Sequence, residues 1–578
     1  MWPRDATHPS EQYSPSKCPK TTFWSGIITP GIIFHSPSPL LIFTWSVTAM
    51  DNGQRDMKLF WTCFISLIAT SFGFIVRATI MDDWAKQFGL SETQKGEIFG
   101  VGLWPFAISI VLFSLIIDRI GYGVALAFAF ICHAAFIVIV IAAPTLVSSG
   151  ANGYWVLYLG SFIGALGNGT VEAVINPVVA TMFSKDKTKW LNILHAGWPG
   201  GLVLGGLLAL ALGESTDWRY KVGLVGIPVL AYGALLLTCK FPVNERVTAG
   251  VSFRDMLKEV GFFGAFLITT LIVFELSNVA EKFGVKVGSE DIAFKAGPID
   301  FTQSMLIKFG ISGGLSLLFG LYTMSLGRLV FVFLMIIMMP LAITELGTDS
   351  WIGDLMTPEM KGLGLPGVSV LIYTSFIMMM LRFCAGPIIH KLSPLGLLAV
   401  SSVLAIAGLF SLSMATGVMI LAAATLYAFG KTFFWPTMLG VVAEQFPRGG
   451  ALTLNTISGL GMLAVGILGS PLLGNVQDKE VDRELADKNP ALHAQVAGDM
   501  KASVFGSYRA IDEAKVKDLS SDEKETVTKV REAAKKNALK TVALFPVGML
   551  IAYLVLILYF KSKGGYAPVS LSDKPPAH

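Results

Sequence analysis

Residues 167–177, GNGTVEAVINP, place several polar groups inside a long apolar run. Asn168 precedes Glu172 by four residues and Asn176 follows it by four, so on a helix the three side chains project from one face. A carboxylate in hydrocarbon disfavours its charged form and can therefore take up and release a proton. The two amides can hydrogen-bond hydroxyl groups or hold an ion, and Pro177 frees a backbone carbonyl nearby. The pattern predicts proton- or solute-handling chemistry at bilayer depth.

A structural role is the alternative interpretation of Glu172. An ion pair with Arg77 or Arg382 would lock helices together instead of handling protons. The two interpretations overlap, because an ion pair that breaks on protonation would also couple proton binding to helix movement.

Six further ionisable residues lie in apolar segments, where the cost of burying a charge makes each of them a candidate for function. They are Arg77, His195, Glu275, Glu345, Arg382 and Lys431. Arg382 lies deep within MMMLRFCAG and requires an anion or a carboxylate partner. Arg77 closes the first apolar segment, with Asp82 and Asp83 just beyond it, so extension of its side chain to water is the alternative to a site role.

Aromatic residues follow Lys431 along the chain. Phe433, Phe434 and Trp435 would form a wall on which sugar rings stack, while packing or lipid contact is the alternative. This group predicts a second set of substrate contacts, at Lys431 and Trp435.

Four other residues complete the set of candidates. His195 and Trp198 share the midplane face of one segment, where simple packing is the alternative role of the histidine. Glu345 precedes GTDSW and occupies a place in the second half like that of the acid near Asp82 in the first. Glu275 lies near the end of a segment outside both halves, which predicts a peripheral position.

Composition assigns the chain to the membrane. Of its 578 residues, 53% are hydrophobic and only 15% are charged, with mean hydropathy +0.63; soluble proteins have about 25% charged residues. The net charge of +4 gives no case for nucleic acid as a partner. The cysteines form no CxxC pair, and neither a Walker A nor an H-E-x-x-H motif occurs, so we expect no metal, no cofactor and no enzymatic activity.

The apolar segments number fourteen, in groups of six, two and six. They predict an all-α polytopic membrane protein with two pseudo-symmetric six-helix bundles and two extra central helices. The segments are 59–80, 97–117, 122–143, 153–182, 190–213, 219–241, 261–277, 305–325, 329–347, 367–390, 394–413, 416–445, 449–473 and 540–560.

Two internal patterns support this arrangement. LNILHAGWPGG at 191–201 has a counterpart in LNTISGLGMLA at 454–464, and IIDRIGYG at 116–123 has one in IIHKLSPL at 388–395. Matches in the same order along both halves indicate a parallel repeat, which places a site between the halves near the midplane. Within the first half, Gly197, Gly201 and Gly205 recur at four-residue spacing and predict close approach of another helix.

Domain limits and orientation follow from the polar segments. Basic residues cluster in 184–190, 390–394 and 561–563, which predicts that both termini are cytoplasmic in an inner or plasma membrane. Residues 1–57 read as a leader, with Met50 favoured over Met1 as the start. The predicted parts are the leader, a first half at 58–241, a linker with two helices at 242–328, a second half at 329–560 that includes a soluble helical insertion at 475–539, and a cytoplasmic tail at 561–578.

The chain resembles the major facilitator superfamily of secondary transporters. DRIGYG at 118–123 is similar to the basic loop after the second span of that family, and HKLSPLG at 390–396 is a partial counterpart after the eighth. The pattern ExxxNP at Glu172–Pro177, followed by LNxLHxxxxxG at Leu191–Gly201, resembles the fucose and hexose permease branch. The two extra central helices and the insertion depart from the twelve-span pattern of the family.

The resemblance implies twelve core spans, alternating access and sugar uptake coupled to protons. It makes Glu172 the protonation candidate, and it makes Asp118, Arg119 and Gly121 a gating loop. We therefore predict a proton-coupled symporter of a sugar or a similar small polar solute, embedded in a lipid bilayer. Export of drugs or organic anions is the alternative, since the cationic side chains of Arg77, Arg382 and Lys431 would suit an anion. A transporter-like membrane sensor is a third hypothesis.

Overall fold

The computed structural model describes residues 56–571, apart from 214, 290, 297–298, 363 and 502–506. The predicted leader, up to residue 55, and the choice between Met1 and Met50 lie outside the described residues. Apolar runs form helices whose free N-terminal amides are capped by polar side chains. The Asp56 side chain, for example, accepts from the backbone N–H of Lys58, and that of Asn152 from Trp155.

The first half consists of long helices and shorter pieces that continue them. Their bounds are α1 Met57–Phe88, α2 Glu92–Gly100, α3 Trp104–Ile120, α4 Tyr122–Ser148, α5 Gly153–Met182, α6 Lys187–Leu194, α7 Gly197–Ala211, α8 Trp218–Leu224, α9 Gly226–Leu236 and α10 Glu245–Thr248. The predicted close approach at the glycine series is confirmed between α7 and α1. A Cβ at Gly201 would lie 2.0 Å from Ser71 Oγ, so only glycine permits this contact.

The central segment contains the two extra helices, α11 Phe253–Lys282 and α12 Gln303–Thr323. Two antiparallel strands, β1 Ile292–Ala296 and β2 Ile299–Thr302, lie between them. Helix α11 changes direction at Gly261, whose φ of +55° favours glycine.

The second half contains the remaining elements. They are α13 Leu329–Ala342, a π-helical turn Ile343–Gly347, α14 Thr348–Gly362, α15 Val368–Phe383, α16 Ala385–Leu392, α17 Pro394–Met414, α18 Met419–Lys431, α19 Phe434–Gln445, a 3₁₀ turn Pro447–Gly449, α20 Gly450–Ala464, a second π-helical turn Val465–Gly469, α21 Ser470–Lys488, α22 Pro490–Val496, β3 Ala497–Lys501, β4 Tyr508–Ile511, α23 Glu513–Lys517, α24 Ser521–Val542 and α25 Leu544–Ser562. Helix α11 packs against α13 and α20, whereas α12 packs mainly on α11.

The predicted fold class, an all-α polytopic membrane protein, is confirmed, with a different number of spans. In the described part of the chain, 12 helices are long and apolar enough to cross a membrane, or 13 when α15 and α16, bent by 67°, count as one span. The segment expected at 416–445 is instead two helices of 13 and 12 residues, α18 and α19. The chain leaves helical geometry between them because side chains from other helices bind the freed backbone groups there, as described below.

The predicted insertion at 475–539 extends α21 and α24 beyond the membrane-length segments. It has a small apolar core of its own, formed by Val481, Leu485, Leu492, Val496, Val527, Val530 and Ala534. Strands β3 and β4 pair antiparallel beside it, an addition to the helices that the sequence predicts. This separate core means that the insertion buries its own apolar residues and does not depend on lipid for burial.

Candidate functional site

The polar face of α5 joins the end of α6 through a chain of hydrogen bonds. Glu172 is 4% exposed, and Asn176 Nδ2 donates to its Oε2 at 2.7 Å and to its backbone O at 3.1 Å. The Oδ1 atom of Asn176 accepts from His195 Nε2 at 2.9 Å. Since an amide oxygen only accepts, this bond places the imidazole proton on Nε2. The structure therefore brings three predicted site residues together.

A buried ion pair within the second half, Arg382–Glu345, lies beside this chain, and its arginine also bonds to the first half. Arg382 is 1% exposed, and its Nη2 donates to Glu345 Oε1 at 2.7 Å. Its Nη1 donates to the carbonyl of His195 at 2.8 Å, and its Nε to the carbonyl of Thr432 at 2.7 Å. Glu345 Oε2 accepts from the backbone N–H of Trp435 at 3.0 Å.

These partners explain why helices can break here. The last carbonyls and first N–H groups of a helix have no partner within it and need one elsewhere. Arg382 serves the ends of α6 and α18, and Glu345 serves the start of α19. Displacement of Arg382 would therefore release carbonyls in both halves at once, and protonation or displacement of Glu345 would release the start of α19.

The predicted alternative for Glu172, an ion pair with Arg77 or Arg382, is absent from the part of the chain that the structure describes. Arg382 is paired with Glu345 instead. Arg77 has no ion pair among the described residues, and its Nε is buried without a hydrogen-bond partner.

Arg77 does not extend to water as the snorkelling alternative expects. Its side chain is 6% exposed, and its guanidinium carbon lies 5.5 Å from the centroid of the Phe99 ring. A Cβ at Gly102 would lie 1.9 Å from Arg77 Nη2, so the guanidinium occupies space that only a glycine leaves free. The reason is that α2 and the turn after it cover the end of α1.

Lys431 is fully buried and bound to Asp349, with Thr374 Oγ1 at 3.5 Å. Its ammonium lies 5.2 Å from the centroid of the Tyr427 ring.

Of the predicted aromatic wall, only Trp435 lines a cavity described here; Phe433 and Phe434 pack in the core. The expected three-ring wall was therefore wrong, because α19 starts at Phe434 and turns that side chain inward.

Asn168 does not join the hydrogen bonds of Glu172 and Asn176 but bonds to a residue of α4 instead. Its Oδ1 bonds to His133 Nε2 at 2.9 Å, and His133 Nδ1 bonds to the Tyr232 hydroxyl at 3.0 Å. Sequence reasoning missed His133, although a lone histidine inside the apolar segment 122–143 was a usable signal. This triad connects α4, α5 and α9.

The cavity at the midplane is small. It is lined by Phe106, Glu172, His195, Trp198, Glu345, Leu346, Arg382, Trp435 and Met462 and measures about 20 Å³. An adjoining cavity of about 30 Å³ has Asn168, Trp198 and Asp349 in its wall. Since one water needs about 10–15 Å³ on this measure, neither space admits a solute larger than water. The site is closed around its polar groups in this conformation.

A cavity of about 1220 Å³ lies beyond these two and is large enough for a small organic solute. Its wall includes residues 95–104, the end of α7 and parts of α14 and α15. Glu275 of α11 also lines it, so the predicted peripheral position of this residue was wrong. The reason is that α11 packs on α20 and so reaches the cavity wall.

The opposite end of the bundle contains the predicted gating loop. We call it the basic-loop side, defined by residues 118–123, 184–190 and 243–250, and call the end with the large cavity the far side. Asp118 Oδ2 accepts from Arg246 Nη2 at 2.5 Å, and Arg119 lies 5.6 Å from the centroid of the Phe253 ring. Gly121 has φ +84°, which lets the chain turn sharply between α3 and α4.

Polar contacts close the two halves against each other on the basic-loop side. Glu444 Oε1 accepts from both the backbone N–H and the hydroxyl of Thr188. Asn192 Nδ2 donates to Thr437 Oγ1 at 3.2 Å, and Lys187 Nζ to the carbonyl of Ala443 at 3.3 Å. Within the ranges that the structure covers, no group of three or more His, Cys, Asp or Glu residues is arranged to hold a metal ion.

The sequence matches a known protein family over most of its length. Residues 62–471, well over half of the chain, match the sequence model of the Major Facilitator Superfamily. The gentisate transporter of Corynebacterium glutamicum is 23% identical over 234 residues, 40% of this chain and 51% of that protein. The "Probable sugar efflux transporter" of Helicobacter pylori is 24% identical over 288 residues, 49% of this chain and 69% of that protein. The chain thus spans about half the length of the first relative.

Solved structures show the same fold. The proton:xylose symporter XylE of E. coli, solved with bound 6-bromo-6-deoxy-D-glucose, superimposes with a TM-score of 0.52 at 14% identity, covering 88% of this chain and 96% of that one. The helices long enough to cross a membrane, the two halves and the family match over residues 62–471 agree with one another. The chain is a multi-pass membrane transporter and belongs to the Major Facilitator Superfamily.

Proposed function

We propose that this transporter moves a sugar or a similar small polar solute by alternating access, in symport with a proton bound at Glu172. Glu172 carries the proposal, since it is 4% exposed and, among the described residues, has no Lys or Arg within the 4.0 Å of an ion pair. A carboxylate in that position gains most from neutralisation by a proton. The solute-class part of the proposal rests on the polar and aromatic lining of the two small cavities.

The hydrogen-bond chain links the protonation state of Glu172 to the interface between the halves. Asn176 donates to Glu172 and accepts from His195, whose own carbonyl accepts from Arg382. Protonation of Glu172 weakens the bond from Asn176, because a neutral acid is a poorer acceptor than a carboxylate. The amide is then free to reorient toward a solute hydroxyl, and the end of α6 loosens with it.

The solute binds where the two small cavities now lie. Asn168 supplies an amide group, and Trp198 and Trp435 supply aromatic faces that stack on the apolar face of a sugar ring. Because these spaces hold only water in the present conformation, solute binding requires the halves to move apart there. The cavity of about 1220 Å³ is the approach from the far side.

The basic loops fix the orientation that we propose. With both termini cytoplasmic, the basic-loop side faces the cytoplasm and the large cavity faces outward, in a plasma or inner membrane. Asp118 then holds the cytoplasmic end of α3 to the segment after α9 through Arg246, while Arg119 lies on Phe253 and Gly121 turns the chain into α4. Opening to the cytoplasm breaks the contacts of Thr188 and Asn192 with the second half.

Transport by purified protein in proteoliposomes tests the proposal. We expect Glu172→Gln to keep exchange of internal and external solute but to lose uphill accumulation driven by a pH gradient, because glutamine cannot release a proton. Glu525→Gln, at an exposed residue of the insertion, is the matched control and should behave as the unmodified chain. Proton-driven accumulation that survives in Glu172→Gln would remove Glu172 from the coupling role.

A further inference from the structure

Arg77 stands apart from the other buried cations. Seven Lys or Arg residues in the described part of the chain are buried: Arg77, Lys187, Lys221, Arg246, Lys308, Arg382 and Lys431. Five of them have a carboxylate partner: Lys187, Arg246, Lys308, Arg382 and Lys431. Arg77 and Lys221 have no carboxylate partner in the described part of the chain, and both belong to the far side.

Of the two unpaired cations, one lines the large cavity and the other, Arg77, lies behind residues that line cavities. Lys221 lines the large cavity directly. The Arg77 guanidinium lies beside Phe99, which lines the large cavity, and beside Gly102, which lines the small cavity of about 30 Å³. Of the carboxylates in that wall, Asp82, Glu97 and Asp349 are paired with Lys95, Lys282 and Lys431, and Glu275 forms no ion pair with Arg77 or Lys221 in the described part of the chain.

A buried guanidinium N–H without an acceptor is unfavourable, and Arg77 Nε is buried with no hydrogen-bond partner. Arg presents its donors as a planar fork that matches a carboxylate bidentately. The group that completes this site is therefore an anion that arrives from the cavity.

Aromatic rings lead from Arg77 to the midplane. The Phe99 ring lies against the guanidinium, and the Phe74 ring is 5.5 Å from Phe99 and 6.1 Å from Trp198 between centroids. Trp198 in turn lines the small cavity that contains Glu172. A ligand with its carboxylate on Arg77 would thus place a ring against Phe74 and Trp198.

We propose that Arg77 is a carboxylate-binding site and that the transported solute is a six-membered-ring monocarboxylate carried together with one proton. This inference rests on the proposed transport function and makes its substrate class specific. One negative charge on the solute and one positive charge on the proton give an electroneutral step. A neutral sugar carried with a proton would instead move one net charge across the membrane.

The test compares carboxylates with their neutral counterpart. Full-length protein in proteoliposomes is assayed for exchange of glucuronate, benzoate and glucose, in the unmodified chain and in Arg77→Gln, Arg77→Lys and Arg219→Gln. We expect carboxylate exchange in the unmodified chain, a loss of about tenfold or more in Arg77→Gln, a smaller loss in Arg77→Lys, and none in Arg219→Gln. Arg219 is a matched control because it is exposed and paired with Asp217. Whether glucuronate or benzoate is exchanged tells sugar acids from aromatic acids.

A second measurement does not depend on the variants folding. Proton-driven uptake of the carboxylate by the unmodified chain should be unchanged when a potassium diffusion potential is imposed, since the step is electroneutral. Exchange of glucose without either carboxylate would overturn this inference and leave the proposed function intact. Carboxylate exchange that Arg77→Gln leaves unchanged, or carboxylate uptake that follows the potential, would overturn the inference as well. Silence for all three solutes would overturn both proposals.

Discussion

The basic-loop side and the far side of the bundle differ in what joins their halves. On the basic-loop side, Thr188 and Asn192 of the first half bond to Glu444 and Thr437 of the second. On the far side, the halves are separated by a cavity of about 1220 Å³. The ion pairs described in its wall join α1 to α2 and α2 to α11, so they do not connect the two halves.

This difference shows how a gate can be both closed and reversible. A hydrogen bond between halves adds only about 0.5–1.5 kcal/mol net, because water replaces it when the seam opens. A wide apolar seal would cost about 25 cal/mol for every Å² exposed on opening. Polar contacts at the seam therefore keep the closed and open states close in free energy, which alternating access requires.

The Arg382–Glu345 pair lies between the two sides and should give the largest effect when changed. Arg382→Met leaves Glu345 buried without a cation, and we expect the variant to lose about 3–5 kcal/mol of stability. The double variant Arg382→Met/Glu345→Gln removes both charges of the pair and so leaves neither partner as an unpaired buried charge, and it should recover most of that loss. Thermal unfolding of the purified proteins in detergent measures both changes.

Transport separates the roles of the pair. Both variants should stay inactive, because the bond from Arg382 to the carbonyl of His195 that joins the halves is gone in each. A double variant as unstable as the single one would show that the packing of Arg382, and not its charge, stabilises the midplane.

The midplane also shows what the sequence could and could not predict. The bond between Glu172 and Asn176 was predictable because it is local, one helical turn apart on α5. Asn168 was expected on the same face, yet four-residue steps drift by about 40° each, so Asn168 and Asn176 point about 80° apart. That angle is enough for Asn168 to meet His133 on α4 instead.

Ion-pair and hydrogen-bond partners that are far apart in the chain could not be predicted from the sequence. Arg382 was recognised as needing an anion, but nothing in the spacing identified Glu345, which lies 37 residues away. The break between α18 and α19 has the same origin, because the partners of its free backbone groups come from α15 and from the π-helical turn after α13. Span positions could be predicted from hydropathy, since each depends on its own residues.

Thr188→Val should produce the second largest effect, by removing one of the two hydrogen bonds from Thr188 to Glu444 that close the basic-loop side. Valine keeps the shape of threonine and removes the hydroxyl that donates to Glu444, a bond to a charged group worth about 1.5–3 kcal/mol. We expect the population open on the basic-loop side to rise by about tenfold or more. Distances between spin labels at the exposed Lys185 and Lys391, one on each half, report that opening.

Thr181→Val is the control for this change. The Thr181 hydroxyl donates to the carbonyl of Pro177 within its own helix, so its loss leaves the contact between the halves intact. Equal label distances in the two variants would mean that the Thr188 hydroxyl does not close the gate.

Tyr566→Phe should have the smallest effect, and it tests whether the tail beyond α25 supports the same gate. The Tyr566 hydroxyl donates to Glu444 Oε2 at 2.8 Å, the Val569 amide donates to the Glu444 carbonyl at 2.8 Å, and Gln445 Nε2 donates to the Ala567 carbonyl at 2.9 Å. The tail thus holds Glu444 from one side while Thr188 holds it from the other.

Because Tyr566 belongs to the tail that follows the second half and does not contact Glu444 from the first half, losing their bond does not separate the halves directly. It only frees the Glu444 carboxylate to move, so we expect a shift of a few-fold toward the state open on the basic-loop side, measured by the same label pair. Tyr559→Phe, at a partly exposed tyrosine of α25, should leave the distances unchanged. If Tyr566→Phe matches Thr188→Val in size, the tail is part of the gate itself; if it matches Tyr559→Phe, Thr188 alone positions the carboxylate.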